Sequence, residues 1–197
     1  MRTVTGLFDD YFDARSAVDE LESAGIPSDD ISLISNNGEK DKTSGAAVGA
    51  ATGAGIGAAL GGTGGLLAGL GLMAIPGVGP VVAAGWLVAT AAGAAAGALA
   101  GGAAGGLIGA LTSSGVSEED AHLYAEGVRR GGTLVSARVD EGRVGEVEAI
   151  LRRSSWVDPA ERRRAYMEEG WTRFDDSLDP YSPEQIEQER NRYRASL

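Results

Sequence analysis

The sequence contains no cysteine, so neither disulfide bonds nor thiolate chemistry can contribute to the fold or the function. Positive charge is also scarce: 17 Lys and Arg residues face 28 Asp and Glu residues, which gives a net charge of −11. Nucleic-acid binding depends on the neutralisation of phosphates, and polybasic segments attract anionic lipid surfaces. The composition therefore argues against a nucleic-acid partner and against a polybasic membrane anchor.

Charge of either sign is missing from the whole of residues 43–117, a stretch of 75 residues that holds 22 Gly and 22 Ala. Its large apolar side chains are densest on either side of the sequence Pro76-Gly77-Val78-Gly79-Pro80. Basic residues lie beyond both ends, with Lys40 and Lys42 before the segment and Arg129 and Arg130 after it. This distribution favours a cytoplasmic location for both ends of an inserted segment.

Glycine recurs at every fourth residue in two ladders placed on either side of Gly77, with Ala89 in place of glycine at one step of the second ladder. A helix with this spacing has one side without side chains, so that a second backbone can approach it closely. We therefore predict a helical hairpin over residues 43–117, with its tip at Pro76, Gly77, Gly79 and Pro80. The residues predicted to pack the helices together are Gly45, Gly49, Gly53, Gly57, Gly61, Gly65, Gly69, Gly85, Gly93, Gly97, Gly101, Gly105 and Gly109.

Each arm of this hairpin would be roughly 45 Å long, whereas the hydrocarbon core of a bilayer is about 30 Å thick. The arms are therefore long enough to span a membrane, and a lipid bilayer is one predicted partner. A four-residue period also turns the glycine stripe by about 40° per repeat, so successive glycines meet different neighbours. This rotation predicts a homo-oligomer, either within a membrane or as a protein core formed by several hairpins.

The two flanks of the uncharged segment show the periodicities of an α+β domain. Strands are predicted at 4–8, 31–35, 133–139 and 156–157, and helices at 13–24, 141–153 and from Ser117. The strand at 133–139 alternates in polarity and is expected to be half exposed. Residues 1–42 and 118–157 then form the two halves of a ferredoxin-like split βαβ sandwich, interrupted by the Gly/Ala-rich hairpin. The first two strands are expected to run parallel.

Residues 158–197 differ from the rest because they are highly charged and contain few apolar groups. We predict an exposed and partly helical tail, with Pro183 opening a helix that runs to Arg194. Trp171 and Phe174 are two large aromatic residues in this polar region, and we expect them to dock on another part of the protein.

The sequence offers few residues with which to build a catalytic site. His122 is the single histidine, and its place near the start of a helix predicts a surface residue more readily than a general base. Asp9, Asp10 and Asp13 follow a strand and precede a helix, where capping explains them better than metal binding. We therefore expect no catalytic residues, no cofactor and no metal, and we interpret the chain as a non-enzyme.

The flanks also resemble a known family. The stretch Val4-Thr5-Gly6-Leu7-Phe8-Asp9, the later Ile31-Ser32-Leu33-Ile34 and the return through Glu126–Gly132 are similar to bacterial general stress proteins with a heat-induced, YflT-like domain. The glycine-rich middle with Ala74–Pro80 resembles proteins described as low-temperature-induced or general stress proteins. The resemblance implies a role in the stress response and supplies no catalytic residues.

Two functions follow from these observations. The first is a non-enzymatic stress-response protein with a cytoplasmic domain, bound to the inner membrane by a self-associating hairpin that acts as a scaffold or bilayer stabiliser. The alternative is a soluble oligomeric module that senses a ligand or binds a protein, with the hairpins forming the core of the oligomer.

Overall fold

A five-stranded antiparallel sheet forms the centre of the protein in the computed structural model, which describes residues 1–36, 71–75, 77–90 and 106–194. Along the chain its strands are β1 (Arg2–Phe8), β2 (Ile31–Ser35), β3 (Gly71–Ile75), β4 (Gly79–Gly85) and β5 (Thr133–Val139). Their spatial order is β1-β5-β2-β4-β3, and every neighbouring pair is antiparallel. Because β1 and β2 both pair with β5, they run parallel to each other, as predicted.

The helices with described bounds are α1 (Tyr11–Ser23), α2 (Leu107–Ser113), α3 (Glu118–Arg129), α4 (Val144–Arg153), α5 (Pro159–Glu168) and α6 (Pro183–Arg194). Residues 86–90 are also helical. Local sequence accounts for several starts: Asp10 caps α1 by accepting from the Phe12 amide at 2.8 Å, and Ser117 caps α3 by accepting from the Asp120 amide at 3.1 Å. Pro183 opens α6, as the sequence predicts.

Two separate apolar clusters cover the two sides of the sheet. On the first face, α1 and α4 pack on alternate residues of the strands, with Leu21 and Leu151 fully buried. On the second face, α2, α3, the end of β3, part of β4 and the turn between these strands pack on the intervening residues. The sheet is therefore the middle layer of three, and this arrangement decides what the tail can reach.

Strand β5 differs from its predicted half-exposed state. Both faces of it are covered, so six of its seven residues are buried. The polar side chains of β5 are paired within the sheet on both faces: Ser136, on the second face, lies 3.0 Å from the hydroxyl of Thr5, and Thr133, on the first face, lies 2.8 Å from that of Ser35. Buried hydroxyls need such partners, and the pairing lets an alternating strand occupy the centre of the sheet.

The predicted helical hairpin is wrong for residues 71–75 and 79–85, which form the antiparallel strands β3 and β4. A turn that contains Gly77 and Val78 joins them, with Gly77 at φ 72°. Gly85 therefore ends a strand, at φ 94°, and does not pack helices. The physical reason is pairing: β4 contributes backbone hydrogen bonds to β2, and β2 lacks a partner on that side without it.

Two further predictions concern a short strand at residues 156–157 and the conformation of the tail. Residues 156–157 do not form a strand, although the Val157 amide donates to the Leu7 carbonyl at 2.8 Å. The tail is partly helical and most of its residues are exposed, as predicted, but a few side chains anchor it on the domain, with Tyr166 fully buried. Among the helices that the structure describes, none has both the length and the apolar character needed to cross a membrane.

Candidate functional site: the docked tail

The largest group of buried charged side chains lies where the tail, residues 158–194, contacts the folded domain. We treat this contact between the tail and the second face as the candidate site. Its apolar part is Phe174, which is 7% exposed and belongs to the same cluster as Val78 and Val81. The turn between β3 and β4 receives it closely. A Cβ atom placed on Gly77 would lie 2.9 Å from the Phe174 ring and 2.6 Å from the Asp176 Cα. Only glycine allows the tail to come this near.

The polar part of the contact is built around two arginines at the end of α3. Arg130 is 7% exposed and donates to Glu126 at 2.7 Å, to Glu169 at 2.6 Å and to Glu189 at 2.8 Å. Two of these three carboxylates, Glu169 and Glu189, come from the tail. Arg129 donates to Glu126 as well, at 3.2 Å. Buried charges are tolerated when they are paired in this way, so the network fixes the tail to α3.

Aromatic rings of the tail cover the same guanidinium groups. The Arg130 guanidinium lies 4.0 Å from the centre of the Tyr166 ring, and Arg129 lies 5.1 Å from that of Tyr181. Burial opposes the charge of Arg130, but its hydrogen bonds with Glu189, Glu126 and Glu169 outweigh that effect and raise its pKa above the ordinary value. The arginine is therefore held as a permanent cation in a stacked, closed site.

A second ion pair fixes the start of the tail to the turn after β1. Arg162 donates through both terminal nitrogens to the two carboxylate oxygens of Asp9, each at 2.7 Å. The guanidinium also lies 3.8 Å from the centre of the Tyr193 ring, so it joins α5 to α6. Burial, followed by the nearby Glu189, raises the pKa of Tyr193 to about 12, which keeps this ring neutral. Bidentate geometry of this kind is the strong form of an ion pair.

The space enclosed by these groups is too small for a substrate. The cavity bounded by Asp9, Arg130, Arg162, Tyr166 and Glu189 has a volume of about 10 Å³. It holds no more than about one water molecule. The cluster therefore contains residue types that are common in active sites, but its side chains pack against one another and leave no room for a ligand larger than water.

A larger groove, about 470 Å³ in volume, lies nearby between the first turn of α3, the end of α5 and the segment 171–173. Trp171 lies at its edge, with its ring 5.7 Å from that of Tyr166 in an edge-to-face arrangement. His122 also lines the groove, and its side chain is 12% exposed, so it is less exposed than the predicted surface residue.

The acidic residues after β1 have separate structural positions. Asp10 caps α1, and Asp9 pairs with Arg162. Asp13 lies in the first turn of α1, where burial and then its neighbours Asp10 and Asp9 raise its pKa. Among the residues that the structure describes, no group of three potential metal ligands comes together.

The predicted helix-packing glycines divide into three groups. Gly109 lies in α2, and Gly85 ends β4 instead of lying in a helix. The remaining ones lie outside the described residues: Gly45, Gly49, Gly53, Gly57, Gly61, Gly65, Gly69, Gly93, Gly97, Gly101 and Gly105. Of the predicted tip, Gly77, Gly79 and Pro80 belong to the turn and to β4, and Pro76 lies outside the described residues.

Sequence reasoning singled out Trp171 and Phe174 but missed the charged residues that hold the tail. The available signal was the pair Arg129-Arg130 directly before Gly131-Gly132, at the end of a helix that also contains Glu126. Three charged residues on one helix turn next to a core strand need partners from elsewhere in the chain.

No family model matches this chain, and neither a curated protein nor a solved structure matches it.

Proposed function

We propose that this protein is a non-enzymatic scaffold of the stress response that self-associates through its uncharged, glycine-rich segments. The folded α+β domain, which we interpret as ferredoxin-like, holds the ends of these segments and carries the docked tail. The stress-response role rests on the resemblance of residues 4–34 and 126–132 to general stress proteins.

The observation that carries the proposal is the position of the apolar tip. Val78, Val81 and Leu87 have no exposed surface and belong to the core of the second face. A tip that is part of the domain's own core is not available to lead a hairpin into a bilayer. The glycine ladders on either side of it then serve best as contacts between copies of the chain, because stripes of glycine permit close backbone approach.

A non-catalytic role agrees with the state of the polar residues. The most conspicuous cluster, around Arg130, is closed and internally paired, with space for about one water. Such a site positions one part of the chain against another. We therefore assign the described polar network to architecture and assign association to the glycine ladders.

Association is tested by breaking each ladder with a large side chain and measuring the oligomer by analytical ultracentrifugation. We expect Gly57→Leu and Gly97→Leu to reduce the oligomer to smaller species. The matched controls are Gly55→Leu and Gly102→Leu, which change glycines of the same segments that do not belong to the ladders. Unchanged assembly in the ladder variants, or equal loss in the controls, would refute the role of the ladders.

A membrane scaffold is the second candidate, favoured by the 75 consecutive residues without charge. Alkaline carbonate extraction separates the two proposals. Release of the protein into the wash, together with a large particle in solution, supports the oligomeric scaffold. Retention in the membrane pellet supports insertion of the glycine-rich segments and would move the self-association into the bilayer.

A further inference from the structure

The single histidine of the chain lies where the tail meets α3. The Nε2 atom of His122 is 3.3 Å from the Arg173 Nη2 atom. A guanidinium group can only donate hydrogen bonds, so the ring nitrogen that faces it must present its lone pair. As a hydrogen bond, the contact fits a neutral histidine that carries its proton on Nδ1, a buried atom that has no hydrogen-bond partner among the described residues.

Protonation would change the preferred neighbours of this ring. The Nε2 atom would become a donor facing a donor, and the imidazolium would repel the adjacent guanidinium. On the other side, the Glu118 carboxylate lies 3.8 Å from Nε2 and attracts the charged ring. Arg173 and Glu118 therefore have opposite effects on the same proton.

The other charged groups of the groove are already engaged. Arg163, on α5, donates to Asp120 at 2.6 Å and lies 3.2 Å from Glu119. Arg173 therefore supplies the positive charge that faces the ring most directly. Burial first, and then Arg173, lower the pKa of His122 below its usual value, while Glu118 opposes them.

Arg173 is joined directly to Phe174, whose ring reaches the second face. We propose that His122 is a proton-operated latch: its neutral ring helps to hold segment 171–173 on α3, and its protonation weakens the docking of this segment and of the adjoining Phe174. The latch is a property of the tail and the folded domain, and it does not depend on the role of the glycine ladders.

The sign of the pH dependence follows from linkage. The docked tail lowers the affinity of His122 for a proton, so the released state binds more protons and docking weakens as the pH falls. The loss begins near the ordinary pKa of histidine, about 6.5, and is complete below the lowered pKa of the docked state. Between these values the docking constant falls by at most about one decade per pH unit, as expected for one proton.

Hydrogen exchange of the full chain, followed by mass spectrometry and corrected for intrinsic exchange rates, tests the latch between pH 8 and pH 5. We expect peptides covering 171–178 to lose protection as the pH falls, while peptides from β5 keep theirs. His122→Gln should retain the high-pH protection throughout, because a neutral amide oxygen accepts from Arg173 at every pH. Constant protection of 171–178 in the unchanged protein would overturn the proposal, as would a parallel loss in β5.

A second variant tests the latch without changing the His122 ring. Glu118 is 77% exposed, so Glu118→Gln should leave the fold intact while removing the carboxylate that favours the protonated ring. We expect release of 171–178 to require a lower pH in this variant. An unmoved transition, or a pH dependence that persists in His122→Gln, would assign the proton to another group and refute the latch.

Discussion

The two faces of the sheet are covered by parts of the chain with very different sequences. The first face is covered by α1 and α4, which are ordinary amphipathic helices with Leu21 and Leu151 turned inward. The second face is covered by the end of the uncharged segment, by α3 and by Phe174 from the highly charged tail. On the first face, the apolar core is covered by helices whose apolar residues recur at helical spacing. On the second face, it is covered by segments that are far apart in the sequence.

This difference teaches where the stability of each face comes from. The first face gains from helices whose propensity and apolar spacing agree with their place in the fold. The second face depends on charged groups that close over an apolar core, such as Arg130 with its three carboxylates. We therefore expect the first face to act as the global core and the tail to behave as a cover that opens separately.

The largest expected effects on stability come from replacing two phenylalanines, one in the core of each face. Phe8→Ala removes a fully buried side chain from the first face and should lower the free energy of unfolding by about 3–5 kcal/mol. Phe174→Ala removes a ring that is 7% exposed and should weaken tail docking by about 3 kcal/mol.

Denaturant unfolding and hydrogen exchange distinguish these two outcomes. Phe8→Ala should reduce protection throughout the sheet, whereas Phe174→Ala should increase exchange chiefly in the tail. Equal loss of protection across the whole chain in both variants would show that the two faces unfold as one unit.

The same contrast explains what could be predicted from the sequence. The bounds of β2 and β5, the Ser117 start of α3 and the helix opened by Pro183 follow local signals, and the structure has them where the sequence predicts them. The strands of residues 71–85 were missed because Gly/Ala content and a four-residue period favour a helix there. The pairing of β4 with β2 overrides that local pattern.

The candidate site was predicted only in its aromatic part. Phe174 stands out as a large aromatic residue in a polar segment, so docking could be expected. The partners of Arg130 could not, because Glu126, Glu169 and Glu189 come from two helices and from the end of a third, and look like solvated charges along the sequence. Their burial depends on a tertiary contact that no local period encodes.

We expect an intermediate loss of stability when the charged network on the second face is weakened. Glu126 is 1% exposed and accepts from both Arg129 and Arg130, so Glu126→Gln removes the charge of a shared acceptor while keeping its shape. We expect a loss of about 2–3 kcal/mol in denaturant unfolding or in tail docking, as for hydrogen bonds to charged groups.

The matched control is Glu148→Gln on α4. This carboxylate is 42% exposed and lies 3.6 Å from Arg152, a geometry for which a change below about 1 kcal/mol is expected. A Glu126→Gln protein as stable as this control, with its tail equally protected, would contradict the view that charge closes the second face.

The last comparison concerns two glycines, whose substitutions should have effects of opposite sign. Gly77 has φ 72°, so Gly77→Ala forces a left-handed conformation that by itself costs about 1–2 kcal/mol, and its new Cβ, 2.6 Å from the Asp176 Cα, would also force the tail to shift. Gly145 is an exposed residue of α4 with open space around it, so Gly145→Ala should stabilise the protein by up to about 1 kcal/mol. Thermal unfolding measures both, and hydrogen exchange should place the Gly77→Ala effect in residues 174–180. A harmless Gly77→Ala would mean that the turn and the tail can separate without cost, in which case the second face would be closed by its charges alone.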